Sequence, residues 1–225
     1  MKNITRLVCA LVAVMSLGAI AVSQASAATP GYLCKTAPVS HECGESRYAS
    51  GTEVNADNGT TWNPVYLTDS HNQLWLGCER SSLKMKVAYP ATGWASRLAI
   101  SSWSFSSCES GNTMQLVPPT WNPEPYFDLM WREGTNNGTL QGHGTLLKVK
   151  YATLGGVECT YEVSQVAPAN AEVLVGGASP KLNFLTTVPL TLQSQNQEWC
   201  KVGGNMTFHA NYNITTPTPL YVEKQ

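Results

Sequence analysis

Three carboxylates, Glu124, Asp128 and Glu133, lie in or beside an aromatic, proline-rich stretch at residues 116–132 (LVPPTWNPEPYFDLMWR). A glycosidase needs only two acids, brought by the fold to roughly 5–10 Å from one another across a sugar ring. The competing reading makes them solvated loop and strand-edge charges. The same stretch offers Trp121 and Tyr126 as a ligand platform, because Pro118, Pro119, Pro123 and Pro125 pre-order the chain and so lower the entropy lost on binding. The bland reading of these aromatics is hydrophobic cover for a core edge. His143 stands between Gly142 and Gly144, where a ligand could approach bare backbone, and equally where a bulge or tight turn would fall. His209 belongs to a polar row with Asn211 and Asn213, which suits sugar hydroxyls and any solvated strand face alike.

Other chemistries find no support. Asp69-Ser70-His71 has the residue types of a hydrolase triad, but adjacency in sequence does not give triad geometry, and a polar turn is the ordinary reading. G-x-S-x-G, H-E-x-x-H, a Walker loop and a dinucleotide fingerprint are all absent. No catalytic residue is therefore assigned, and no cofactor or metal is expected.

The cysteines set the compartment. Residues 1–27 read as a signal peptide: Lys2 and Arg6 precede an apolar run at 7–22, and Ala25-Ser26-Ala27 fits a cleavage site. Cys9 leaves with it. Six cysteines remain, Cys34, Cys43, Cys78, Cys108, Cys159 and Cys200, and an even count in an exported chain favours disulfides. Zinc is the alternative, but there is no C-x-x-C, and His41, His71, His143 and His209 are scattered. The expected pairs are sequential: Cys34–Cys43, Cys78–Cys108 and Cys159–Cys200. Beyond the signal, 12 basic residues face 15 acidic ones, a net charge of −3 with no basic cluster for nucleic acid and no second apolar run to span a bilayer.

The elements that must position these residues are strands. Val157, Cys159, Tyr161 and Val163 alternate with polar neighbours, as do Met206, Phe208, Ala210, Tyr212 and Ile214. Leu74, Leu76 and Cys78 form another inward row, followed by Leu83, Met85 and Val87, and later by Leu147, Val149 and Tyr151. Turn signals separate the runs, and no helical period is sustained. The expected fold is an all-β antiparallel sandwich over 51–225, braced by disulfides, behind an N-terminal loop segment, 28–50, closed by Cys34–Cys43. A finer division into two related β units, 51–132 and 133–225, rests on the shared spacing C-x-x-G-x-x-M at Cys108–Met114 and Cys200–Met206. Sequons at Asn58, Asn137, Asn205 and Asn213 would carry glycans in a eukaryotic secretory route.

The cysteine rhythm, the G-x-x-C-x-Y segment ending at Tyr161 and the run Y-N-I-T-T-P-T-P-L-Y-V from Tyr212 to Val222 resemble a group of secreted, uncharacterised proteins of soil actinobacteria. The resemblance spans about residues 51–222 and implies export and a β-rich, disulfide-containing fold, with no activity to carry over. The functional expectation is an exported, non-catalytic binding or envelope-associated module, with a carbohydrate or a cell-envelope component as partner. The alternative is a secreted polysaccharide hydrolase using a carboxylate pair.

Ala25 and Ala27 place the first residue of the exported protein at or within a residue or two of Ala28. N-terminal sequencing of exported material checks this, and retention of residues 1–22 would refute it.

Overall fold

A computed structural model describes residues 29–37, 40–59, 63–69, 71–89, 96–117, 124–163, 173–193, 198–203 and 206–224; at 173, 185–189 and 201–203 only the backbone is described. The expected signal peptide and Trp121 lie outside these residues. Fourteen strands run β1 Thr29–Cys34, β2 Glu53–Asp57, β3 Val65–Thr68, β4 Leu74–Ala88, β5 Ser96–Cys108, β6 Thr113–Val117, β7 Tyr126–Trp131, β8 Gly138–His143, β9 Leu146–Tyr151, β10 Val157–Val163, β11 Val173–Val175, β12 Lys181–Leu192, β13 Met206–Thr216 and β14 Tyr221–Lys224. One α-helix among the described residues, α1 Glu198–Gly203, carries Cys200 in a stretch whose sequence shows no helical period.

The all-β, antiparallel expectation holds; the strands close into a barrel with additions, and a sandwich is not confirmed. The sheet closes on itself through β4, β5, β7, β8, β11, β12 and β13, and the eighth position is shared by two short strands laid end to end. β2 and β3 both pair with β4 on one side and with β13 on the other. Closure leaves no edge within the circuit, which removes the unpaired backbone that an open sheet must protect. The division at 132/133 falls between β7 and β8, which pair along their whole length, so strands from both expected units share one barrel.

The barrel is filled. Trp103 lies at its centre with ring centroids 5.2 Å from Phe208, 5.8 Å from Phe184 and 6.2 Å from Phe127. These edge-on and tilted contacts suit the ring quadrupoles. Trp103 Nε1 donates to the Tyr212 hydroxyl at 2.9 Å, which also meets Ser81 Oγ at 2.7 Å, and Ser81 Oγ reaches the carbonyl of Ser104. Every polar atom carried inward by these three side chains is thereby paired, as a dry interior requires. Burial pushes the Tyr212 phenol far up, so it stays a neutral donor and acceptor.

Two additions cover the barrel. β6, β9 and β10 form a wing that joins β12 through β10, with Leu147, Val149, Tyr151, Tyr161 and Val163 buried beneath it. Gly142 is required here, because a Cβ at that position would come within 2.8 Å of Val163 Cγ1. β1 pairs with β14 and reaches β7, burying Leu33, Leu220 and Val222.

The three disulfides are the sequential ones. Cys78 and Cys108 face each other across β4 and β5, Cys159 of β10 holds α1 through Cys200, and Cys34–Cys43 closes a loop with a sequence separation of 9. The 30- and 41-residue separations of the other two constrain the unfolded chain by about 3–4 kcal/mol each in the loop-entropy model. No helix among the described residues is long and apolar enough to cross a membrane.

Tyr212→Phe should cost about 1–3 kcal/mol, because Trp103 Nε1 loses its acceptor inside a water-free core. Urea unfolding of the two proteins measures this, and a loss below about 0.5 kcal/mol would show that the hydroxyl is dispensable.

Candidate functional site

Side chains of the described residues fill the barrel interior, and two depressions lie at its outer surface. The outward residues of β5, β7 and β8 make the most organised part of that surface. Register places Arg97 opposite Asp128, and Tyr126 opposite His143. His143 Nε2 lies 2.9 Å from Asp128 Oδ2, and Arg97 Nε donates to Asp128 Oδ1 at 3.4 Å. The Tyr126 ring is stacked on the imidazole at 4.9 Å and 19°, while the Arg97 guanidinium lies 4.3 Å from its centroid. Since β7 runs between β5 and β8, His143 and Arg97 cover opposite faces of the tyrosine. Of the sites foreseen in the sequence, Tyr126 and His143 are thus brought together, in a mutually supporting row rather than as open platforms.

Tyr126 and Arg97 of this row form one wall of a groove of about 280 Å³, lined also by Ser50, Ala88, Tyr89, Ala99 and Glu124. The opposite wall rests on the N-terminal segment. Tyr89 packs edge-on against Tyr32 at 5.2 Å, and its hydroxyl donates to the carbonyl of Tyr48. Arg47 lies 3.3 Å above the Tyr32 ring and 5.6 Å from that of Tyr89. Burial pushes the Tyr89 phenol up to about 12, against the pull of Arg47, so it presents a neutral ring at any physiological pH.

The remaining candidates take structural positions. His209 stacks on Tyr66 at 4.5 Å and meets Thr68 Oγ1 at 3.0 Å, and burial lowers its pKa. Its polar-face assignment is right, but its ring and Nε2 are engaged. Asp69 accepts from the backbone N–H groups of His71 and Gln73 and from Trp75 Nε1, bonds that hold its carboxyl below the usual range. His71 lies in a turn, and Ser70 lies outside the described residues. Among the three acids, Glu124 is exposed at the groove, Asp128 is held by His143 and Arg97, and Glu133 is exposed beyond the far end of β7. At about 3.3 Å per residue, the six-residue strand between Glu124 and Glu133 holds them beyond the reach of a shared glycosidic bond. Among the described residues no three His, Cys, Asp or Glu side chains come together as metal ligands would.

A second depression, of about 330 Å³, lies where β2 gives way to β3 and is lined by Asp57, Arg80, Ser82, Ser104 and Ser106 beside Asn58. Asn58 is itself buried, donating Nδ2 hydrogens to the carbonyls of Asn63 and Glu79 and accepting from Ser81 N–H. Both hydrogens of its amide are in use, so this sequon cannot take a glycan in the folded chain; Asn213, by contrast, is exposed.

The sequence reading missed Arg97, Tyr89, Arg47 and Asn58. Arg97 does alternate outward in a readable strand, but nothing local tells that its cross-strand partner is Asp128. Comparison with family models, with characterised proteins and with solved structures finds no match to this chain.

One ionisable group stands apart. Glu223 of β14 is fully buried, with Oε2 3.1 Å from His41 Nδ1 and Oε1 without a partner among the described residues. Burial raises its pKa more than His41 lowers it. An acid whose folded pKa is raised contributes stability below that pKa and loses it as pH rises through it. Stability should therefore fall as pH climbs past the ordinary glutamate range, and Glu223→Gln should flatten that slope. Urea midpoints across pH 4–8 check this; an unchanged slope in the variant would place its origin elsewhere.

Proposed function

We propose that this chain is an exported, non-catalytic binding module, with a carbohydrate of an envelope or extracellular polysaccharide held in the groove between Tyr89, Arg97, Glu124 and Tyr126. The observation that carries this reading is the row His143–Tyr126–Arg97, with Asp128 2.9 Å from His143 and 3.4 Å from Arg97, on an outward sheet face where packing into the core cannot account for it. Holding long side chains in one geometry costs entropy, and a surface ion pair returns little of it. Arranged in advance, the same groups spare a ligand that cost on binding.

The chemistry suits a sugar. The Tyr89 ring offers apolar surface to the C–H face of a pyranose, while Glu124 accepts and Ser50 exchanges hydrogen bonds with hydroxyls. Three disulfides and a signal-like N-terminus support export. In the hydrolase alternative, Glu124 and Asp128 would be the acids, yet Asp128 already serves as the brace of Arg97 and His143.

The test is retention of the purified protein on a panel of cell-wall and soil polysaccharides, with Ser50→Trp as the blocking variant. Ser50 is exposed, so the indole should fill the groove without changing the unfolding midpoint, and binding should weaken at least tenfold. Equal retention of both proteins would rule out the groove. Release of shortened saccharides from the bound material would favour the hydrolase.

A further inference from the structure

We infer that the bound sugar carries a carboxylate, so that the ligand is a uronic-acid saccharide recognised by the Arg97 guanidinium; this rests on the groove being the binding site. Among the described residues Arg97 is the one cation of the groove lining. Its Nε is turned to Asp128 and its Cζ lies 4.3 Å from the Tyr126 ring centroid, which leaves the two Nη groups for the groove. Among the described residues those Nη groups make no hydrogen bond or ion pair. A guanidinium held in this way offers parallel donors spaced for the two oxygens of a carboxylate, and such charge-assisted pairs are about twice as strong as neutral ones.

The surrounding charges are compatible with this assignment. Asp128 is spent on His143 and Arg97, and Lys86 stands on β4 opposite Ala99, while Glu53 stands opposite Lys86 on its other side. Arg47 backs the groove behind Tyr89. Glu124 is the one anion of the lining among the described residues, and it is exposed to water, where its repulsion is screened and its oxygens remain acceptors for hydroxyls. Arg80 at the second depression makes the contrast: it is exposed, and no ring or carboxylate among the described residues holds it. A peptide carboxylate would satisfy Arg97 equally, but the hydroxyl-matching groups and a groove no larger than a short saccharide favour the sugar.

Calorimetric titration with matched ligands decides the point. Oligosaccharides of galacturonic, glucuronic and mannuronic acid are compared with their methyl esters, which keep the rings and remove the charge, and with a C-terminal peptide. The expected result is at least tenfold tighter binding of an acid form than of its ester, weakening with salt. Arg97→Lys, which keeps the charge and loses the fork, should remove most of that difference while the unfolding midpoint stays unchanged. Equal affinity for acid and ester, or binding of neutral glycans alone with the expected loss in Ser50→Trp, would overturn the carboxylate and leave the binding module standing. Binding of the peptide and of no saccharide, or of nothing in the panel, would overturn both.

Discussion

The hydrogen bond from Trp103 to Tyr212, with Ser81 as the third member, is the constraint on which the barrel depends. An eight-position barrel is just wide enough for side chains to fill, and here the filling is aromatic. Large rings supply most of the apolar area, but an indole and a phenol each bring a polar atom into a dry space. Pairing those atoms with one another and with a strand serine lets the barrel keep its largest side chains without an unsatisfied group at the centre.

The outside is not uniform, because one barrel position is built from two strands. Where β2 stops and β3 has not begun, β4 would show bare backbone at Glu79–Ser81. Asn58 repairs the gap by using its amide as a length of strand, bonding the Glu79 carbonyl and the Ser81 N–H. Its burial follows from that role rather than from hydrophobicity.

The N-terminal segment links the fold to the groove. Tyr48 ties it to the Pro219 carbonyl, His41 sits over the buried Glu223, and Cys34–Cys43 closes the loop that carries His41. The segment that carries Ser50 and Arg47 to the groove is thus anchored on the last strand of the chain. Groove geometry and terminal pairing are one structural problem.

Strand identity and facing were legible in the sequence because alternation is a local property: Met206, Phe208, Ala210, Tyr212 and Ile214 are all buried, and Lys84 and Lys86 are exposed, as their period requires. The exception, Leu74, was expected inward and is 56% exposed; the β3–β4 register slips by one residue between Leu67 and Thr68, and a slip of one reverses the face. Cysteine pairing was legible because strands close in sequence are close in space, as at Cys78 and Cys108. Closure into a barrel was not, since it depends on β13 finding β2 and β3 some 150 residues away. The site was half legible for the same reason. Tyr126 and His143 stood out by type and neighbours, whereas Arg97 and Tyr89 acquire meaning only from cross-strand register. The sequence alone therefore determined the strands, their facing and the covalent frame, all set by local pattern; the tertiary structure decided which outward residues meet, because register between distant strands is settled by packing the common core.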